Sequence, residues 1–103
     1  MEKNEQPKPS PLKIATKRFP LGAFYMTPGA IENVKPSEVQ YLLQRHASCD
    51  WGDCGEEDWA FNCYALIEGT RIFSVYTTEN GSKVWIITEA DRSYTTMLLP
   101  SEY

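Results

Sequence analysis

Long apolar runs are absent from this chain. No segment approaches 18 consecutive hydrophobic residues, so no membrane span is expected, and the start MEKNEQPKPS lacks the apolar core of a secretory leader. Histidine occurs once, as His46, which leaves little scope for His-based catalysis or a His-rich metal site. The six glycines never form a phosphate-cradling loop, and no G-x-S-x-G or H-E-x-x-H arrangement occurs. Three cysteines (Cys49, Cys54 and Cys63) are too few for a disulfide framework and too many to pair completely, so they read as reduced thiols of a cytoplasmic protein.

Basic residues are also scarce beyond the first 18 positions. Lys3, Lys8, Lys13, Lys17 and Arg18 against Glu2 and Glu5 give the opening a charge of +3, whereas the remainder has five basic and twelve acidic residues, a charge of −7. A body of that sign repels phosphate, so direct nucleic-acid binding is not expected of it. Only the basic tail offers a nucleic-acid-binding alternative, and deleting residues 1–17 would test it. That tail, with three prolines and few large apolar groups, would lose entropy on ordering without burying much, and is expected to be flexible.

What is present suits one small domain over residues 18–103: 42% hydrophobic and 13% aromatic residues can supply one modest core. FPLGAFYM (19–26) reads as an edge strand at best, because Pro20 cannot donate to a ladder. Thr27-Pro28 caps a short helical turn ending near Asn33. Pro36-Ser37-Glu38 opens an amphipathic helix of about ten residues, with Ser37 as the expected cap and Val39, Leu42, Leu43 and His46 on its core side. EEDWAFNCYALIEG predicts a second helix ending near Glu68, with acids at its positive end, Gly69 as its stop, and Trp59, Cys63 and Leu66 beside Ala60 and Ala65 as its core stripe.

After Gly69 the period changes to two. RIFSVYTT, KVWIIT and YTTMLL, separated by ENGS and EADRS, predict a C-terminal β-meander. The expected fold class is therefore α+β, two main helices packed on a three- to four-stranded antiparallel sheet, preceded by a flexible N-terminal tail. Apolar residues on both faces of the strands, such as adjacent Ile72 and Phe73, require a cover for the second face. The Phe19–Met26 segment or a second subunit could supply it, so a homodimer is compatible with the pattern.

Candidate sites reduce to polar clusters. Asp50, Asp53, Glu56, Glu57 and Asp58 could hold a hard cation, but D-x-x-D-x-x-E lacks the alternate-residue spacing of a calcium loop, and acids at a helix start need no metal. His46, Cys49, Cys54 and Cys63 are capable zinc ligands without the C-x2-C knuckle. No cofactor or metal is expected. A metal-dependent hydrolase or nuclease, using these loop carboxylates with Glu89 and Asp91, stands as the alternative that calorimetric metal titration would test.

Taken together, TPGA at 27–30, R-H-x-x-x-D-W-G at 45–52, E-D-x-x-x-N at 57–62, R-I-x-S-x-Y at 71–76 and WIITEADRS-x-TT-x-LLP-x-EY at 85–103 resemble a family of small bacterial proteins. Many of these are plasmid- or mobile-element-associated and labelled uncharacterised or "plasmid related", and some are loosely labelled restriction-modification subunits. The resemblance spans Thr27 to Tyr103 and implies no established activity. The methyltransferase-subunit label does not suit this chain, which lacks a Gly-rich cofactor loop and an Asn/Asp-Pro-Pro-Tyr/Phe motif.

The expectation is a non-enzymatic cytoplasmic binding protein with a protein partner, a DNA-handling enzyme met through the acidic surface being one candidate. Its expected binding residues are Asp50, Trp51, Asp53, Glu57, Asp58, Arg71, Glu89, Asp91 and Arg92. Internal ion pairing of Arg92 or Arg71 with Asp50 or Asp58 is the expected role for these charges, ahead of catalysis.

Overall fold

A computed structural model describes residues 18–103, so the expected flexible tail at 1–17 lies outside the described residues. Strand β1 (Ala23–Met26) leads into helix α1 (Pro28–Asn33), then α2 (Pro36–Ala47) and α3 (Glu56–Glu68). Strands β2 (Ile72–Thr77), β3 (Lys83–Thr88) and β4 (Tyr94–Leu98) follow, and a 3-10 turn (Pro100–Glu102) ends the chain.

The α+β class holds, but the sheet is mixed rather than antiparallel. Its order is β1-β4-β3-β2, with the expected antiparallel meander completed by β1 running parallel to β4. Nearly seventy residues separate those two strands, and a long connection through three helices leaves either direction sterically open. The Phe19–Met26 segment thus extends the sheet at its edge and does not cover the second face.

Local chemistry explains the helix ends. The Thr27 hydroxyl accepts from the Ala30 N–H, and Pro28 occupies the first helical turn of α1. The cap of helix α2 lies two residues before the expected Ser37: Lys35 is the boundary residue, Pro36 supplies the preset φ, and Glu38 reaches back to the Lys35 N–H at 3.3 Å. Gly69 ends α3 in the left-handed conformation, at φ 75°.

Residues alternate across the sheet, so Ile72, Ser74, Tyr76, Val84, Ile86, Thr88, Thr95 and Met97 share the inner, buried face. Ala30, Val34 and Leu42 from α1 and α2 pack on Tyr76, Val84, Ile86 and Met97. A second apolar cluster joins Phe19, Trp51, Ala65 and Ile72. Between the two runs a polar row, Ser74–His46–Thr88–Thr95.

The second face is covered in part by the C-terminus itself. Tyr103 packs edge-on to Trp85 at 5.5 Å, and Trp85 packs on Phe73 at 5.0 Å between ring centroids. Among the described residues no helix is long and apolar enough to cross a membrane.

Candidate functional site

The charged residues singled out by sequence are mostly tied up in the fold. Asp50 receives a two-pronged contact from Arg45, Nε to Oδ2 at 2.7 Å and Nη2 to Oδ1 at 3.1 Å, and this holds its carboxyl below the usual range. Its backbone carbonyl accepts from the Tyr76 hydroxyl at 2.6 Å. Asp53 accepts from Thr77 at 2.9 Å and from Lys83 at 3.3 Å. The two aspartates therefore flank Trp51-Gly52 without converging.

Trp51 is fully buried between Phe19 and His46, at centroid distances of 6.2 and 6.0 Å. Its indole N–H has no hydrogen-bond partner among the described residues. That omission costs about 1–3 kcal/mol, whereas burying some 200 Å² of ring at about 25 cal/mol/Å² gains about 5 kcal/mol, so the position is a core anchor on balance.

The expected ion pairs of Arg71 or Arg92 with Asp50 or Asp58 do not form. Arg71 instead donates to the Tyr103 hydroxyl at 2.7 Å and to Glu89 at 3.2 Å. Arg92, at φ 62°, donates to the carbonyls of Thr70 at 2.6 Å, Ala65 at 3.0 Å and Glu89 at 3.2 Å. Its cation therefore sits at the negative end of α3 and fastens that helix to the β3–β4 turn, far from Asp50, which Arg45 has claimed only five residues away. Asp91 closes the same turn by accepting from the Ser93 N–H at 2.9 Å.

Asn62 has the most telling position. Strand β2 is an edge strand, and the Asn62 amide both accepts from the Phe73 N–H at 3.0 Å and donates to the Phe73 carbonyl at 2.5 Å. One residue pair further along, the Val75 N–H donates to the Trp51 carbonyl at 3.1 Å and the Val75 carbonyl accepts from the Asp53 N–H at 2.6 Å. Side chain and loop together stop that edge from pairing with another chain.

Replacing Asn62 with alanine is expected to strand both Phe73 groups and lower unfolding stability by about 2 kcal/mol, read from urea melts. An unchanged midpoint would refute the edge-guard role.

This use of Asn62 also rotates α3 relative to the expected stripe. Asn62 and Ala65 are buried and Leu66 half-buried, while Trp59, Ala60 and Cys63 are exposed. The C-terminus is locked likewise: Glu102 accepts from the Thr27 hydroxyl at 2.5 Å, the Gly29 N–H at 2.9 Å and the Leu99 N–H at 2.8 Å. A Cβ at Gly29 would meet that carboxylate at 2.7 Å. Glu102→Ala is expected to speed amide exchange at Gly29 and Leu99 while leaving β2 and β3 amides protected. Uniform protection in the variant would refute the lock.

The residues proposed for metal chemistry remain apart. His46 is buried between Ser74, Nδ1 to Oγ at 2.5 Å, and Thr88, Nε2 to Oγ1 at 2.9 Å. Burial raises the Cys49 and Cys54 thiols above their ordinary range, so neither is an activated nucleophile. Among the described residues no three His, Cys, Asp or Glu side chains gather in a geometry that could hold a metal ion.

The outward face of α3 carries a run of exposed large apolar side chains that the fold does not use. Phe61, Tyr64 and Ile67 are 67%, 59% and 81% exposed, beside exposed Ala60. Phe61, Tyr64 and Ala60, with Glu57, line a shallow concavity of about 470 Å³. Of the three acids that open α3 only Glu57 lines it, and neither Glu57 nor Glu56 nor Asp58 forms an ion pair among the described residues. Sequence reasoning missed this face, although the signal was there: EEDWAFNCYALIE carries more apolar residues than one buried side of a helix can accept. Comparison of the chain with protein-family models, with curated proteins and with solved structures finds no match.

Proposed function

We propose that this chain is a non-enzymatic protein-binding module of a bacterial cytoplasm that docks through the outward face of α3. One observation carries the reading: three large apolar side chains stand contiguous and solvent-exposed on a helix whose opposite side is already packed. Scattered exposed apolar residues are ordinary, but a contiguous aromatic and aliphatic patch with a polar rim is the composition of an interface centre.

The electrostatics narrow the partner. Among the described residues Asp50, Asp53, Glu79 and Glu89 each face a cation, whereas Glu56, Glu57 and Asp58 at the start of α3 do not. Glu57 borders the apolar face directly, so a complementary surface has an apolar floor and a basic group at that edge. A DNA-handling enzyme offers such a group, which fits the resemblance to mobile-element proteins.

Affinity capture from the native host, with wild type beside a Tyr64→Glu/Ile67→Glu double variant, tests the reading. The expected result is a partner enriched on wild type, absent from the variant and released by high salt. Identical captured proteins on both would overturn it.

A further inference from the structure

We propose that, in the absence of another partner, the outward face of α3 is occupied by a second copy of this chain, the two α3 helices packing antiparallel about a two-fold axis. This rests on the reading of α3 as a docking face and names an occupant for it. The argument begins with spacing. Glu57, Ala60, Tyr64 and Ile67 point away from the sheet at intervals of three, four and three residues, a pattern that reads the same in both directions.

An antiparallel pair can therefore align the stripe with itself, centred on residue 62. Ala60 then faces Tyr64 of the second copy, and Glu57 faces its Ile67. Small opposite large gives a hole for each ring, and both contacts repeat by symmetry, as an isologous interface requires. Phe61 lies on one flank of the stripe and Cys63 on the other. A two-fold axis across the helices brings each flank residue against its own copy, so Phe61 meets Phe61 and Cys63 meets Cys63.

The area is sufficient. Taking about 200 Å² for a fully exposed side chain of this size, Phe61, Tyr64 and Ile67 contribute about 400 Å² per copy at their observed exposures. A symmetric pair buries about 800 Å² from these alone. Ala60, Cys63 and the stem of Glu57 bring the total to the roughly 1,000–1,200 Å² at which specific interfaces begin.

Charge sets a distinguishing sign. The two bodies are both acidic, so self-association strengthens as salt rises, whereas binding to a basic partner weakens.

The experiment uses the full 103-residue chain, with sedimentation equilibrium up to about 200 µM and a short bismaleimide cross-linker under reducing conditions. A mass of twice 11.8 kDa at high concentration is expected, with at least a 100-fold weaker association for Tyr64→Glu/Ile67→Glu. Cross-linking should fail for Cys63→Ser and persist for Cys49→Ser/Cys54→Ser. Because Tyr64 and Ile67 are exposed, the double variant should keep its urea midpoint, and this control is run alongside. A chain that stays at 11.8 kDa, or a dimer indifferent to the double variant, overturns the proposal. If capture from the host still depends on α3 while the isolated chain is monomeric, the docking reading stands and self-association alone falls.

Discussion

Alanine at Gly52 is expected to remove at least 3 kcal/mol of stability, enough to leave a small domain largely unfolded or aggregated at 37 °C. Two costs combine. Gly52 sits at φ 71°, where a residue with a Cβ is strained by about 1–2 kcal/mol. More damaging, the new Cβ would lie 2.0 Å from the Val75 carbonyl oxygen and 2.6 Å from the Tyr76 ring. The first obstacle is backbone in a sheet and cannot swing away. The loop must lift, which breaks the Val75 contacts with Trp51 and Asp53, pulls Trp51 from its slot and exposes the β2 edge.

Gly55→Ala is the control. Its φ is −69°, an added Cβ there meets nothing within 4 Å, and its urea midpoint should move by no more than the equivalent of about 0.5–1 kcal/mol. Equal midpoints for Gly52→Ala and wild type would refute the edge-pairing account.

Gly52 also shows where sequence reasoning reached its limit. D-W-G falls between the two expected helices, and the hydrophobic periods located α2, α3 and the meander, because helix and strand periodicity is local information. What periodicity does not encode is which long-range partner a polar residue will choose. Asn62 reads as a helix-interior residue of poor propensity until the β2 edge is known, and once it is committed to Phe73 the whole of α3 must turn, sending Trp59 and Cys63 outward. The parallel pairing of β1 with β4 was hidden for the same reason, as was the capture of Asp50 by Arg45 in place of Arg71 or Arg92. The wording of the E-A-D-R-S turn is now explained by structure: Arg92 holds the end of α3, Glu89 holds Arg71, and Asp91 closes the turn. The outward face of α3 was legible in principle, as a surplus of apolar residues on both sides of one helix.

Acidification from pH 6.5 to pH 4 is expected to cost the protein about 3 kcal/mol through His46 alone. The imidazole is fully buried, and desolvation first, then the nearby Arg92 cation, lower its pKa to about 3. The surrounding hydrogen bonds specify its neutral form. The Leu21 carbonyl can only accept, so the Thr95 hydroxyl donates to it at 2.7 Å and must accept from Thr88, also at 2.7 Å. Thr88 in turn accepts from Nε2–H of His46, and Nδ1 is left to accept from the Ser74 hydroxyl. Phe19 and Trp51 pack edge-on against the ring and offer no counter-charge.

In the unfolded chain the same imidazole titrates near 6.5, so between about 6.5 and 3 the unfolded state binds the extra proton and stability falls as pH falls. The maximum slope is about 1.4 kcal/mol per pH unit. Asp50 and Asp53, both held below the ordinary carboxylate range, act in the same direction but at lower pH, as each is protonated through its folded-state pKa. Urea midpoints measured from pH 7.5 to 4.5 should therefore decline steadily for wild type. For His46→Gln, which starts less stable because its fit to Ser74 and Thr88 is poorer, they should stay nearly level above pH 5. Nitrogen chemical shifts of His46 should report a proton on Nε2 and none on Nδ1, unchanged down to pH 4.5. A wild-type midpoint as level as the variant's would show that His46 is not held neutral by the core.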